Sequence, residues 1–127
     1  MNKKLQEYKK SNIRQKLNTN DSYDIIKELL SGLNTNLKEA LIYMDKNEIE
    51  TAKERARKAD SIATALQNCL DIKNGGEIAE NLNTCYRHIR FAAKNYIERE
   101  KSDLLSNAHF VSNELLEGWK GMNSSVA

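Results

Sequence analysis

The sequence contains no proline and only five glycines in 127 residues, so it has few of the residues that end helices. We therefore expect a small number of long helices. Its two cysteines, Cys69 and Cys85, are too few for a disulfide framework and favour the reducing cytoplasm as the location. No apolar run approaches the roughly 18 residues of a membrane span, and the first ten residues lack the apolar core of an export signal.

The composition favours one all-α domain, because 39% of the residues are hydrophobic and 30% are charged. Twenty basic and eighteen acidic side chains give a net charge of +2, which is too balanced for a nucleic-acid-binding protein. The charge is unevenly placed. Residues 1–16 hold six basic groups and one acidic group, and the other 111 residues hold 14 basic and 17 acidic groups. A basic arm therefore precedes a mildly acidic body that could attract it, although a solvated polar terminus has the same charge pattern.

Apolar residues recur at steps of three and four in four segments, which is the spacing of amphipathic helices. The residues that define these stripes are Ile26, Leu29, Leu30, Leu33, Leu37, Ala40, Leu41 and Met44; Ile49, Ala52, Ala56, Ala59, Ala63, Leu66 and Leu70; Ile78, Leu82, Cys85, Tyr86, Ile89, Ala93, Tyr96 and Ile97; and Leu104, Leu105, Ala108, Val111, Leu115, Trp119 and Met122. The first helix is predicted to end near Asn47, the third to begin near Glu77 after a break at 74–76, and the fourth to begin after Asp103.

Short connections between these segments predict an antiparallel up-down-up-down four-helix bundle over residues 21–122. Residues 1–20 are predicted to form a basic N-terminal arm or a short helix, and residues 123–127 a disordered tail. The second helix has a heptad seam whose middle is all alanine. Such a seam allows either a close approach of neighbouring helices or a shallow groove.

The sequence offers no recognisable catalytic, cofactor or metal site. The residues three positions before His88 and His109 are Cys85 and Ser106, so the Glu-x-x-His pattern of di-metal bundles is missing. There is no C-x-x-C pair, no nucleophile elbow and no glycine-rich phosphate loop. We expect both cysteines to be buried, His109 to lie at the rim, and the protein to be neither an enzyme nor a cofactor-binding protein.

Three large apolar residues fall outside the predicted core stripes. Phe91 lies between Arg87 and Lys94 on the third helix, Phe110 lies opposite the stripe of the fourth, and Ile42 is similarly placed on the first. Apolar side chains on a face expected to be wet indicate a partner or a docked segment. Single exposed aromatic residues are also common on bundles, and this alternative stays open.

Several local patterns, taken in order, resemble the family of flagellar secretion chaperones called FliS, which bind flagellin. They extend from about Tyr8 to Met122. The patterns are IIKELLSGL at 25–33, KNEIE at 46–50, NCLD at 68–71, NGGEIAENL at 74–82 followed by Tyr86, and LLEGW at 115–119. The family usually has an aromatic residue and an acid at the positions of Leu30 and Ser31, so the chain resembles a divergent member.

The resemblance implies a helical bundle that binds the disordered C-terminal segment of flagellin, which would otherwise drive premature polymerisation, and so aids secretion. It also implies an N-terminal arm, with a tyrosine matching Tyr8, that lies over part of the binding surface. Whether the arm is a lid or a client contact stays open. The residues expected to bind the client are Leu5, Tyr8, Ile13, Ala56, Ala63, Phe91 and Phe110.

The expected partners are therefore the flagellin C-terminal segment and, beyond it, an export-gate component or a co-chaperone. No nucleic acid or membrane span is expected, and the chain is expected to be a monomer or weak dimer. The alternative hypothesis is an adaptor or regulator that keeps the bundle but binds a different, folded protein.

Overall fold

The computed structural model describes residues 21–126, with side chains from 22 to 122, and this part of the chain forms four helices and no strands. They are α1 (Asp21–Asp45), α2 (Ile49–Asn68), α3 (Ile72–Arg99) and α4 (Leu105–Val126). Consecutive helices are antiparallel because only three to five residues join them, which confirms the predicted up-down-up-down bundle. None of the described helices is long and apolar enough to cross a membrane. Helix α4 continues four residues beyond the predicted end of the bundle at 122.

The helices occupy the corners of a square. Each packs closely against two neighbours, α1 against α2 and α4, and α3 against α2 and α4, whereas the backbones of the diagonal pairs lie farther apart. The contact between α1 and α2 is the most extensive and that between α3 and α4 the least. The side of the bundle formed by α3 and α4 is therefore the most open.

Two of the turns use a residue in the left-handed conformation to end a helix. Asn47 has φ of 62° after α1, and Glu100 has φ of 53° after α3. In each turn the following amide donates to a carbonyl in the last part of the helix. Glu48 donates to Tyr43, five residues back, at 2.8 Å, and Lys101 donates to Asn95, six residues back, at 3.4 Å. These bonds satisfy carbonyl groups that the helix end leaves unpaired. The predicted end of α1 near Asn47 is confirmed.

Helix α3 begins five residues before the predicted start at Glu77. Asp71 is its N-cap, and its carboxylate accepts hydrogen bonds from the backbone and the side chain of Asn74 at 3.1 and 2.8 Å. One helical turn follows before Gly76, whose φ of 57° and ψ of −136° interrupt the helix. Only glycine adopts this conformation without strain, so the break predicted at 74–76 lies inside α3 rather than before it.

The core contains the predicted stripes of α1 and α2 almost unchanged. The completely buried alanines of α2 are Ala52, Ala56, Ala59 and Ala63. They lie in one cluster with leucines of α1 and with Tyr86, Ile89 and Tyr96 of α3. Of the two alternatives for the alanine seam, the structure has the close approach of helices and not an open groove.

Three positions that were predicted to be buried are exposed. Ile78 is 74% exposed because the first turns of α3 extend beyond the cover of the other helices. Met122 is also exposed, at the end of α4. Cys69 at the end of α2 is exposed, and Cys85 is half-buried rather than buried. Leu70 is partly buried and packs against the core, as its place in the stripe predicted.

Polar contacts join α1 to α4. Ser112 is completely buried, accepts a hydrogen bond from the amide of Asn34 at 3.1 Å and donates to the carbonyl oxygen of His109 at 2.7 Å. Near the other end of the pair, the ring of Trp119 stacks on Tyr23 with centroids 5.5 Å apart. The Trp119 indole also donates to the Tyr23 carbonyl oxygen at 3.0 Å. These contacts fix the start of α1 against the last turns of α4.

Candidate docking surface

Two phenylalanines are exposed on α3 and α4, the pair of neighbouring helices with the least extensive contact. Phe91 on α3 and Phe110 on α4 are each 59% exposed, as predicted from their positions opposite the core stripes. Other large apolar side chains of the described surface are also exposed, at Ile42, Ile72, Ile78 and Met122. Such side chains are costly to leave in water, so their number on a small bundle indicates a surface that binds other apolar groups.

The two rings lie on either side of a polar contact between the helices. His88 Nε2 of α3 is 2.9 Å from Asn107 Oδ1 of α4. Phe91 and Phe110 each lie three residues beyond this contact, and the helices run in opposite directions. At 1.5 Å of rise per residue the rings are separated by roughly 9 Å along the bundle axis. A single extended or helical segment lying across α3 and α4 could reach both.

Basic side chains surround Phe91. A shallow depression on this face of α3 is lined by Thr84, Arg87, His88, Arg90, Phe91 and Lys94. Arg87, Phe91 and Lys94 lie at spacings of four and three residues, which places them side by side on one helix face. Phe110 has no such surroundings, since its neighbours one turn away are Ser106 and Asn113. The outer face of α3 therefore combines an exposed aromatic ring with positive charge.

Only one of the three basic residues of this face, Arg90, forms an ion pair with another residue of the described chain. Arg90 is bound to α2, where its Nε lies 2.9 Å from the carboxylate of Asp60 and its Nη1 donates to Gln67 at 2.9 Å. Gln67 in turn donates to Asn83 of α3 at 2.7 Å. This network fixes the rotation of α3 against α2. By contrast, neither Arg87 nor Lys94 forms an ion pair with any residue in the described part of the chain.

Two of the other predicted client-binding residues, Ala56 and Ala63, do not belong to this surface. Ala56 and Ala63 are completely buried, so neither contributes to the surface of the closed bundle. Leu5, Tyr8 and Ile13 lie outside the described residues. The network of Asp60, Gln67 and Arg90 was not anticipated from sequence. The only signal for it was the placement of charged and amide residues beside the core stripes of α2 and α3.

The described side chains include no cluster that could bind a metal ion. No three His, Cys, Asp or Glu residues of this part of the chain are grouped closely enough to hold a metal ion. Burial, with smaller contributions from Cys85 and Cys69, raises the pKa of Tyr86 to about 12, so its hydroxyl stays protonated at neutral pH. The absence of catalysis remains a prediction from the sequence.

The imidazole of His109 on α4 is partly buried, which agrees with the rim position, one of the two alternatives (solvent or rim) expected from sequence. Its protonation is expected to destabilise the fold. Burial and, to a lesser extent, the charge of Lys38 lower its pKa below the ordinary 6.5. The unfolded chain therefore binds a proton at this site more readily than the folded chain, and stability is lost as the pH falls below about 6.5.

We expect His109→Gln to reduce the loss of stability between pH 7 and pH 5, because glutamine does not titrate. Urea denaturation followed by circular dichroism at both pH values measures the difference. His88→Gln on α3, which removes the other histidine of the chain, is the matched control. An identical pH dependence in wild type and His109→Gln would contradict this account.

Comparison with known proteins identifies the family to which this helical bundle belongs. A family model described as "Flagellar protein FliS" matches residues 2–126. The flagellar secretion chaperone FliS of Vibrio cholerae serotype O1 is 33% identical over 82 residues, which are 65% of this chain and 60% of that relative. The aligned region thus spans less than two thirds of the relative's length. Because the family model covers nearly the whole chain, the chain belongs to the FliS family of flagellar proteins.

Proposed function

We propose that this chain is a flagellar export chaperone that binds the disordered C-terminal segment of flagellin in the cytoplasm, prevents its premature polymerisation and aids its secretion. The observation that carries the proposal is the family match over residues 2–126, together with the name of the Vibrio relative. The exposed rings of Phe91 and Phe110 on an otherwise well-packed bundle support it.

The physical task of such a chaperone is to cover apolar side chains of the client. Filament assembly buries apolar surface of flagellin, and a bundle that covers the same surface removes that driving force without any chemical step. The exposed apolar residues of the bundle are spread over α1, α3 and α4 rather than gathered in one pocket. This distribution suits a long flexible segment that contacts the bundle at several places and becomes ordered as it binds.

The N-terminal arm is part of the proposal. Its basic residues and the apolar Leu5, Tyr8 and Ile13 suit contact with the more acidic bundle. As a lid, the arm would compete with the client and lower its apparent affinity in proportion to the closed population. As a contact, it would add to the client's binding surface. Deleting residues 1–16 distinguishes the two, because client affinity rises in the first case and falls in the second.

The proposal is tested by filament assembly. Purified flagellin from the same organism is induced to polymerise, and light scattering follows growth with and without an equimolar amount of this protein. We expect the wild type to suppress growth and a Phe91→Ala/Phe110→Ala variant to suppress it less. Lys58→Ala, at an exposed position of α2, is the control and should match the wild type. Normal growth in excess wild-type protein would contradict the proposal and favour an adaptor that binds another protein.

A further inference from the structure

We propose that the outer face of α3 around Phe91 binds an acidic, apolar stretch of the client, with client carboxylates beside Arg87 and Lys94 and an apolar client side chain against Phe91. The inference rests on the proposed function. It goes further by stating which kind of client sequence, acidic and apolar, binds to this face of α3. Its basis is the combination of an exposed ring with two basic side chains that have no ion-pair partner in the described part of the chain.

The geometry of the face limits the size of the bound stretch. Arg87 and Lys94 lie seven residues apart on α3, about 10 Å along the helix, with Phe91 between them. A helical client segment would therefore present two carboxylates two turns apart and an apolar side chain between them. Glu80 and Glu98 are exposed at seven-residue steps beyond Arg87 and Phe91, on the same face. The positive region thus has negative charge at both ends. Because Glu80 and Glu98 repel carboxylates, the acidic residues of the client can lie only beside Arg87 and Lys94.

Charge argues against three other occupants. The chain's own arm carries six basic groups and one acidic group over residues 1–16, so this face repels it. A second copy placed symmetrically would bring Arg87 and Lys94 near the same residues of its partner. A nucleic acid would extend its phosphates past Glu80 and Glu98 on a protein whose net charge is only +2.

Arg90 holds this face of α3 in place and is not expected to bind client carboxylates itself. Its guanidinium is already engaged by Asp60 and Gln67 of α2, and this holds α3 in one rotation about its axis. The rotation keeps the ring of Phe91 directed away from the core. A site that is already formed loses less conformational entropy when the client binds, and this favours specific binding.

The experiment compares charge reversals of equal size on this face and elsewhere. The affinity of flagellin from the same organism is measured by calorimetry for the wild type, for Arg87→Glu/Lys94→Glu and for Arg57→Glu/Lys101→Glu. Arg57 and Lys101 are exposed and also lack ion pairs in the described part of the chain, so both variants change the net charge by the same amount. Circular dichroism verifies that each variant is folded.

We expect the Arg87→Glu/Lys94→Glu variant to bind roughly tenfold more weakly and the control variant to change by less than about twofold. Arg87→Lys/Lys94→Arg should retain affinity, and raising the salt from 50 to 500 mM should weaken the wild type more than the charge-reversed variant. Equal losses in both reversed variants, or no loss in either, would overturn the inference while leaving flagellin binding intact. No binding by the wild type would instead overturn the proposed function and this inference with it.

A fluorescent single-stranded oligonucleotide serves as a second probe. Binding of this probe that is lost in the Arg87→Glu/Lys94→Glu variant would assign the face to a nucleic acid and would overturn the inference. We expect no saturable binding of the oligonucleotide at 150 mM salt.

Discussion

Replacing Ala63 with leucine is expected to lower the free energy of unfolding by about 1–3 kcal/mol, and the double change Ala56→Leu/Ala63→Leu by about 4 kcal/mol. Both alanines are completely buried in the cluster that joins α2 to α1 and α3. The added carbons have no space, so helices must separate or side chains must leave their preferred rotamers. Urea denaturation followed by circular dichroism measures the change.

Ser61→Leu is the matched control for this prediction, because Ser61 is exposed on the same helix. A leucine there adds the same apolar surface without entering the core, and the stability should change by less than about 0.5 kcal/mol. Unchanged stability in Ala63→Leu would mean that the alanines border an open groove. In that case they would return as candidates for client contact.

Replacing Trp119 with alanine is expected to cost about 3 kcal/mol of stability. The change removes a large apolar side chain, its stacking on Tyr23 and its hydrogen bond to the Tyr23 carbonyl oxygen. These contacts hold the first turns of α1 against the last turns of α4, so we also expect hydrogen exchange of the amides near Tyr23 to accelerate.

Trp119→Phe separates the two parts of this effect. Phenylalanine keeps a ring over Tyr23 but has no indole N–H, so its cost should be about 1 kcal/mol. If Trp119→Ala and Trp119→Phe were equally destabilising, the stacking would contribute nothing. If neither changed the stability, the contact between Trp119 and Tyr23 would not hold the helix ends together.

Much of this fold follows from the spacing of apolar residues. The stripes of α1 and α2 predict the core because each lies on one face of an uninterrupted helix, and the same rule places Phe91 and Phe110 outside it. The rule fails at Ile78, because periodicity tells which residues share a face but not whether another helix covers that face. It also misses the early start of α3, which depends on a local hydrogen bond from Asn74 to Asp71.

The candidate surface was only partly predictable for a related reason. The exposure of Phe91 and its position between Arg87 and Lys94 can be read from one helix. That Arg90 is engaged by Asp60 and Gln67, and that His88 meets Asn107, depends on the rotation and register of neighbouring helices. The alanine seam of α2 permitted both a groove and a close approach, and only the packing of the other helices decides between them.

The proposed function depends on binding of this chain to the C-terminal segment of flagellin. We would test this binding by calorimetric titration with flagellin from the same organism, full length and with that segment removed. The account predicts saturable binding of the full-length protein and no detectable binding of the truncated one. Binding that is equal for both forms, or absent for both, would contradict the account and favour a different protein partner.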